Sequence, residues 1–418
     1  MEKIFGLLLS CVLLSLGCND NDIAIVTPET LYTVEVGSNI YDQEVGRTGH
    51  IYLTDFEGEL LADTSLFNDN SYIIERDYDY TENSYDATFV TKFDIAPTES
   101  TVYNISTFID VSPMTISLLE DDFDPNPNNE RARFTILNIG SPSSVDLFFS
   151  NNTHTSSCTT ADGGYCNFNV SLLRVPDNIY STFNRSGEDF NRYLWLENVT
   201  GATADTFEFA DIPIITESES IAYPPHDFVN TTLFGYSIDE PQTYYRLTRH
   251  SLGSEEMESE HPFPKNIFDG YKVDVLLSSG DLTYFSSRKY SDVVNTYALP
   301  AMELEITNNS LTNYEIRTSN DVDYYSVQLS YSNADEALLI NWIIYGQGEQ
   351  FMNFSLPNLA DIIFAEHPNF SVTDLDHSRT YLYRIEGISS YEDYIHTIIS
   401  PDSEASDQIE RYEFVSKE

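Results

Sequence analysis

Apolar and polar residues alternate with a period of two along most of the chain. Runs of this kind are centred on Ile116, Val273, Leu304, Val327 and Tyr383. This alternation is typical of β-strands that have one buried and one exposed face. Valine, isoleucine, threonine, tyrosine and phenylalanine are abundant as well, and they favour pleated structure. The sequence therefore predicts an all-β fold of tandem antiparallel, Ig-like β-sandwich domains with very little helix.

A few segments depart from the alternating pattern. The stretch from Ala337 to Tyr345 is continuously apolar, and it is too short to cross a bilayer, so it predicts a buried central strand. Pro357 to Glu366 has a proline at an early helical position followed by a short apolar face, which predicts a helix. A second, weaker helical pattern lies around Ser291 to Tyr297.

Polar and proline-containing linkers predict three folded regions. A run of acidic and asparagine residues precedes Arg131, and a polar stretch from Thr216 ends at Pro224 and Pro225. The predicted units are a β-sandwich at 30–120, a second at 131–213, and a larger region at 226–418 that is one elaborated sandwich or two smaller ones.

The N-terminus has the features of an export signal. Lys3 precedes an apolar run from Ile4 to Leu16 that is too short for a membrane span. The segment from Leu14 to Cys18 resembles a bacterial lipobox, with Ser15 where leucine is more usual. The resemblance implies that residues 1–17 are a signal peptide and that Cys18 carries the acyl chains of a lipoprotein. Several acyl chains on one residue anchor a protein stably to a membrane.

The residues after Cys18 form a tether, predicted to span 18–29. Its start, Asn19 to Asp22, resembles the surface-export signal of Bacteroidetes-type lipoproteins. The chain as a whole resembles uncharacterised multi-domain β lipoproteins of that type, a family that implies no defined activity. We therefore expect an outer-membrane, lipid-anchored protein that faces the cell surface, with the periplasmic leaflet as the alternative.

The segment from Ile51 to Leu61 reads as a strand, a turn with Asp55 and Gly58, and a second strand. Its apolar-x-Asp-x-x-Gly pattern resembles the start of carboxypeptidase-regulatory-like β-sandwiches. The resemblance covers about a dozen residues, and it implies a sandwich fold for the first region.

Cysteine usage agrees with an oxidising compartment. Of four cysteines, Cys11 lies in the signal and Cys18 is the predicted anchor, which leaves Cys158 and Cys166. The residues between them have turn character, so a disulfide across a hairpin loop is expected. A zinc site is disfavoured, because two thiols without a second cysteine or histidine pair do not complete one.

The charge balance restricts the partners of the protein. The chain has 68 acidic and 20 basic residues, a formal net charge of −48. Binding to nucleic acid needs a basic surface, so this class of partner is excluded. Electrostatic adsorption to anionic lipid headgroups is disfavoured for the same reason, and membrane contact is expected through the lipid anchor alone.

One acidic segment has oxygen ligands at alternate positions. These are Asp122, Asp124, Asn126, Asn128 and Glu130. Calcium binds six to eight oxygens, so convergence of these side chains would form a calcium site at a region boundary. The alternative is a solvated acidic linker, and no other cofactor is predicted.

No catalytic residue is predicted from motifs. The sequence has no H-E-x-x-H array and no G-x-S-x-G elbow, and the eight histidines are interpreted as surface or filler residues. Trp195 and Trp342 are interpreted as core residues. The prediction is a surface binding or adhesion module for a glycan or a protein. The alternatives are a glycan-active hydrolase and a structural accessory of an outer-membrane complex, and the oligomeric state is left undefined.

Overall fold

The structure is a computed structural model, and it describes residues 30–38, 40–41, 46–56, 58–75, 84–95, 100–118, 129–140, 142–149, 152–155, 164–185, 191–237, 240–310, 313–318, 322–335, 337–349, 351–354, 359–399 and 409–418. The strands are β1 (Thr30–Val36), β2 (Thr48–Thr54), β3 (Leu60–Leu66), β4 (Asn70–Glu75), β5 (Tyr85–Ile95), β6 (Ser100–Val111), β7 (Met114–Leu118), β8 (Arg131–Leu137), β9 (Pro142–Phe149), β10 (Asn152–Thr155), β11 (Cys166–Ser171), β12 (Asp177–Arg185), β13 (Arg192–Val199), β14 (Ala204–Glu208), β15 (Glu217–Ala222), β16 (Phe228–Ser237), β17 (Glu240–Gly253), β18 (Glu258–Phe263), β19 (Gly270–Ser279), β20 (Leu282–Tyr290), β21 (Glu305–Ser310), β22 (Asn313–Arg317), β23 (Tyr324–Asn333), β24 (Leu338–Gln347), β25 (Phe351–Phe354), β26 (Asp376–Glu386) and β27 (Arg411–Lys417). The helices are α1 (Ala360–Ile363) and α2 (Tyr391–Ile399), and 3₁₀ turns lie at Phe209–Asp211 and Val372–Asp374. The predicted all-β class with very little helix is confirmed.

One large sheet organises the fold. Twelve strands pair in the order β17-β16-β19-β20-β27-β26-β23-β24-β6-β5-β2-β3. Strand β24 lies inside this sheet, antiparallel to β23 and parallel to β6, and its Trp342 is fully buried. The predicted central strand is therefore confirmed. Because β6 belongs to the predicted 30–120 region and β24 to the 226–418 region, backbone hydrogen bonds join these two regions in one sheet. The region boundaries themselves stay predictions.

Smaller layers cover both faces of this sheet. On one face, the sheet β4-β1-β7 and helix α2 enclose a core that includes Tyr32, Phe108 and Tyr394. On the opposite face, the sheet β21-β22-β25 and helix α1 enclose a core that includes Tyr314, Trp342 and Phe364. These stacked layers are the sandwich arrangement that the alternating pattern predicts.

Strands β8 to β14 form two further sheets. The sheets β11-β8-β14 and β10-β9-β12-β13 enclose their own core, to which Phe134, Phe168 and Phe183 contribute. Another apolar cluster joins Tyr180 of β12 to the far end of the large sheet, where the pair β15-β18 also packs. Most strand pairs are antiparallel, but β1-β7, β8-β14 and β6-β24 are parallel.

The predicted hairpin between β2 and β3 is present. The Asp55 side chain accepts a hydrogen bond from the Glu59 N–H at 2.8 Å, and its carbonyl accepts one from the Gly58 N–H at 3.0 Å. Gly58 has a φ of +83°, a conformation that glycine adopts without steric cost. Asp55 and Gly58 therefore form the turn that the sequence pattern predicts.

The helical predictions had mixed outcomes. The predicted helix near Pro357 exists, but only as α1, with Ile363 buried and Ile362 exposed. The helix predicted around Ser291 to Tyr297 is wrong. There the backbone pairs with the end of β15 instead, and the Tyr297 N–H donates to the Ala222 carbonyl at 2.9 Å.

Helix α2 was not predicted, although its sequence contains the signal. The apolar and aromatic residues Tyr391, Tyr394, Ile395 and Ile398 follow helical spacing, and Tyr394 and Ile395 are buried. Ser390 begins the helix, because its hydroxyl accepts a hydrogen bond from the Asp393 N–H at 3.1 Å. Neither helix in the described part of the chain has the length and apolar character needed to cross a membrane.

Candidate functional site

A cleft of about 420 Å³ opens beside β2 and β3, at one end of the large sheet. The sheet forms one wall, and the segment that contains α1 forms the other. The polar and aromatic side chains that line the cleft include His50, Tyr52, Ser65, Lys92, Tyr103 and Glu366. They come from four strands and the α1 segment, so only the folded chain brings them together.

Strand register explains why the sheet side chains share one face. His50 of β2 lies directly opposite Ser65 of β3 and Val90 of β5. Since side chains alternate along a strand, Tyr52 points to the same side as His50. Ile51, between them, is fully buried on the other face. The alternating sequence of β2 thus presents polar groups to the cleft and apolar groups to the core.

His50 is the centre of a hydrogen-bonded array. Its Nδ1 lies 3.1 Å from Ser65 Oγ, and its Nε2 lies 2.8 Å from Asp63 Oδ2. The imidazole ring lies on Tyr52, with 4.3 Å between ring centroids and 30° between the ring planes. Burial raises the pKa of Tyr52, and the nearby Asp63 and Tyr103 add to this effect. The array therefore combines an aromatic surface with oriented polar groups.

An ion pair links the two walls of the cleft. Lys92 Nζ lies 2.5 Å from Glu366 Oε2 and 5.7 Å from the centroid of the Tyr103 ring. Burial alone would lower the pKa of Lys92, but the hydrogen bond to Glu366 and the proximity of Tyr103 outweigh it and raise the pKa. The same hydrogen bond lowers the pKa of Glu366. Both groups are therefore charged at neutral pH and balance each other.

Tyr103 joins this wall to the core. Its hydroxyl lies 3.3 Å from His367 Nε2, and its ring packs edge-on against Phe364 at 5.0 Å. Two large apolar side chains remain exposed where the cleft meets solvent, Phe67 at 48% and Ile362 at 46%. The cleft thus offers aromatic, apolar and hydrogen-bonding surfaces within one small volume.

A second, shallower depression of about 500 Å³ lies beside Trp195, with Glu197 and Asp205 on its border. Trp195 is half-buried, and its Nε1 donates to Glu197 Oε1 at 3.0 Å. Its ring packs edge-on against Tyr245 at 4.9 Å. Because Glu197 already accepts the indole N–H, Trp195 offers no free side-chain donor to a ligand.

The predicted calcium ligands cannot be assembled from the described residues. Asp122, Asp124, Asn126 and Asn128 lie outside them, and Glu130 alone is described. Glu130 Oε2 accepts a hydrogen bond from the Gly201 N–H at 2.7 Å. Within the described ranges, no group of three or more histidine, cysteine, aspartate or glutamate residues is placed to hold a metal ion. The calcium site stays a prediction.

The predicted cysteine roles are described only in part. Cys166, at the start of β11, is fully buried and disulfide-bonded. Cys158, its predicted partner, and Cys18, the predicted lipid site, both lie outside the described residues. The pairing and the lipid attachment therefore stay predictions.

Two histidines have more defined environments than the sequence suggested. His50 forms the array in the cleft, and His261 is fully buried, with Thr248 Oγ1 and Ser259 Oγ each 2.6 Å from a ring nitrogen. Sequence inspection missed the array because His50 and Ser65 belong to no local motif. The predicted hairpin was the one signal that places them on adjacent strands.

No protein-family model and no curated protein matches the chain. Among solved structures, the chain is similar to the Bacillus anthracis TIE protein, with 8% identity, a TM-score of 0.14, and coverage of 78% of this chain and 66% of that one. It is also similar to native Escherichia coli alpha-2-macroglobulin, with 9% identity, a TM-score of 0.11, and coverage of 81% and 26%. The chain thus spans about two thirds of the first protein and about a quarter of the second.

Proposed function

We propose that this protein is a lipid-anchored module of the cell envelope that binds a neutral glycan in the cleft at His50. The observation that supports this function best is the composition of the cleft. Tyr52 and the exposed Phe67 supply aromatic surface, while His50, Ser65 and Lys92 supply hydrogen-bonding groups. Sugars have apolar faces and many hydroxyls, so they need both kinds of contact at once.

Charge favours a neutral ligand over an anionic one. The chain has a formal net charge of −48, which repels polyanions over long distances. Lys92, a cation in the cleft wall, is already paired with Glu366. An anionic sugar would have to compete with that carboxylate for the ammonium group, whereas a neutral sugar could accept a hydrogen bond from Lys92 without displacing Glu366.

Binding can be tested with a glycan array and titration calorimetry on the full-length protein purified in detergent. Tyr52→Ala removes an aromatic surface of the cleft, and we expect it to weaken binding of a neutral oligosaccharide at least about 10-fold. Tyr165→Ala is the matched control, because Tyr165 is an exposed tyrosine elsewhere in the chain, and it should leave affinity unchanged. Absence of any neutral ligand, or equal affinity in both variants, would contradict the proposal.

The membrane anchor is a separate part of the proposal. It is supported by the lipobox-like segment that ends at Cys18. Cells grown with labelled palmitate should incorporate the label into the wild-type protein and not into Cys18→Ala. Protease treatment of intact cells would then separate a surface location from a periplasmic one. An unlabelled wild-type protein would refute the anchor without affecting the binding proposal.

A further inference from the structure

The His50 array has the connectivity of a nucleophile, a base and an orienting acid. Ser65 Oγ lies 3.1 Å from His50 Nδ1, and His50 Nε2 lies 2.8 Å from Asp63 Oδ2. Both distances are within the range over which protons are transferred in general base catalysis. Three residues of one hairpin therefore have the mutual geometry required to activate a serine hydroxyl.

Hydrogen-bond chemistry fixes the proton positions in this array. An ionised carboxylate only accepts hydrogen bonds, so His50 Nε2 must carry the hydrogen that faces Asp63. In the neutral imidazole, Nδ1 then has a free lone pair, and this lone pair faces the Ser65 hydroxyl. Ser65 must donate to His50, and this is the arrangement in which histidine can remove the serine proton.

The location of Ser65 provides access for a substrate. Strand β3 is the last strand of the large sheet, and Ser65 is exposed on it while lining the cleft. Phe67 and Ile362, both exposed at the same cleft, offer an apolar surface for a short acyl group. Lys92 also lines the cavity, from β5 on the far side of β2.

We propose that Ser65, His50 and Asp63 hydrolyse an acyl ester on a neutral glycan held in the cleft. The proposal rests on the proposed function only for the glycan half of the substrate. Ser65 Oγ attacks the ester carbonyl and His50 Nδ1 takes the serine proton. The carbon–oxygen bond to the sugar breaks, and His50 returns the proton to the departing sugar hydroxyl. Water then attacks the acyl-serine, with His50 again accepting a proton and returning it to Ser65 Oγ, and a carboxylic acid is released.

The roles of the three residues differ. Ser65 and His50 act on the reacting atoms and are catalytic residues. Asp63 is a positioning residue, since it holds the ring and its Nε2 hydrogen without reaching the substrate.

Labelling with a fluorophosphonate tests the nucleophile without any glycan. The full-length protein should be modified on Ser65, as located by peptide mass spectrometry, and Ser65→Ala should not be labelled. Ser332→Ala, which changes another exposed strand serine, is the matched control and should label like the wild type. Labelling of wild type and Ser65→Ala to the same extent would overturn the proposal.

Turnover is tested with p-nitrophenyl acetate and with an acetylated neutral xylo-oligosaccharide. We expect saturable release of acetate, a loss of at least about 100-fold in Ser65→Ala, and a smaller loss in Asp63→Asn that varies with pH. Labelling of Ser65 and cleavage of p-nitrophenyl acetate without glycan binding would refute only the glycan function. Glycan binding combined with equal acetate release by wild type and Ser65→Ala would refute only the catalytic proposal.

Discussion

His50 and His261 occupy contrasting places in the same large β fold. Each lies between two side-chain oxygens, but His50 is partly exposed and faces a carboxylate, whereas His261 is fully buried between two hydroxyls. A buried ring without an acid beside it resists becoming positively charged. Each histidine has two side-chain hydrogen-bond partners, but His50 is accessible to a ligand at the cleft, whereas His261 has a structural role in the core.

The network around His261 is continuous with the core. Ser259, which contacts its ring, also lies 2.5 Å from the Tyr223 hydroxyl. Burial and the neighbouring His250 lower the pKa of His261 to about 3. Its strand β18 packs with the end of the large sheet that is farthest in strand order from the cleft.

The largest predicted effect is the acid sensitivity caused by His261. Its folded-state pKa is below the usual 6.5, so the unfolded chain binds this proton more readily. Stability is then fully present above about pH 6.5 and is lost as the pH falls towards 3, with a limit on the order of 4 kcal/mol. We expect His261→Gln, which keeps hydrogen-bonding capacity, to show a shallower decline in melting temperature over this range. An identical decline would contradict the assignment.

Truncating the two histidines should separate their roles further. His261→Ala leaves a cavity and two buried hydroxyls without their partner, so we expect a loss of about 2–4 kcal/mol at pH 8. His50→Ala removes a partly exposed ring and should cost less than about 1 kcal/mol. Urea denaturation of the full chain measures both variants. Equal losses would mean that the contrast between the two regions is wrong.

Asp86 on β5 extends the comparison, because it is a half-buried acid close to the cleft in strand order. Burial raises its pKa to about 7, and its Oδ1 accepts the Asp110 N–H at 3.0 Å. Because the pKa of this acid is raised, its effect on stability has the opposite pH dependence to that of His261. The contribution of Asp86 to stability is highest below about pH 4 and falls until about pH 7. Asp86→Asn keeps the acceptor and removes the charge.

We therefore expect Asp86→Asn to raise the free energy of unfolding at pH 8 by roughly 1–3 kcal/mol, with little change at pH 4. The measurement is urea denaturation at both pH values. Asp323→Asn would serve as a comparison variant, since Asp323 Oδ2 accepts the Ile385 N–H in the same sheet. A variant Asp86→Asn that is less stable at pH 8 would contradict the burial argument.

The smallest predicted effect on stability concerns the cleft ion pair. Glu366 is 71% exposed, so solvent screens its attraction to Lys92, and Glu366→Gln should change stability by less than about 0.5 kcal/mol. The same variant frees the Lys92 charge, and it should therefore allow an anionic oligosaccharide to bind measurably better than to wild type. Calorimetry at low salt tests this, and unchanged selectivity would contradict the neutralising role of Glu366.

Local pattern was sufficient for much of the fold. The alternation at Val273 and Val327 places β19 and β23, and the apolar run around Trp342 places the central strand β24, because burial of alternate side chains determines each strand locally. The parallel pairing of β6 with β24 could not be predicted, since it joins segments more than two hundred residues apart and leaves no local signature.

The site was less predictable than the fold for a related reason. The hairpin turn at Asp55 was present in the sequence pattern, but the register shift between Leu53 and Thr54, which also determines that His50 lies opposite Ser65, was not. The contact of Lys92 with Glu366 spans 274 positions and depends on how α1 packs on the sheet. Local sequence therefore indicates one wall of the cleft and not the other.

The most direct test of the central claim is a crystal structure of the full-length protein with the tightest neutral oligosaccharide from the array. The account predicts a sugar ring packed on Tyr52, with hydroxyls within hydrogen-bond distance of His50, Ser65 or Lys92. Ligand density in the depression at Trp195, with the cleft at His50 left without sugar, would contradict it.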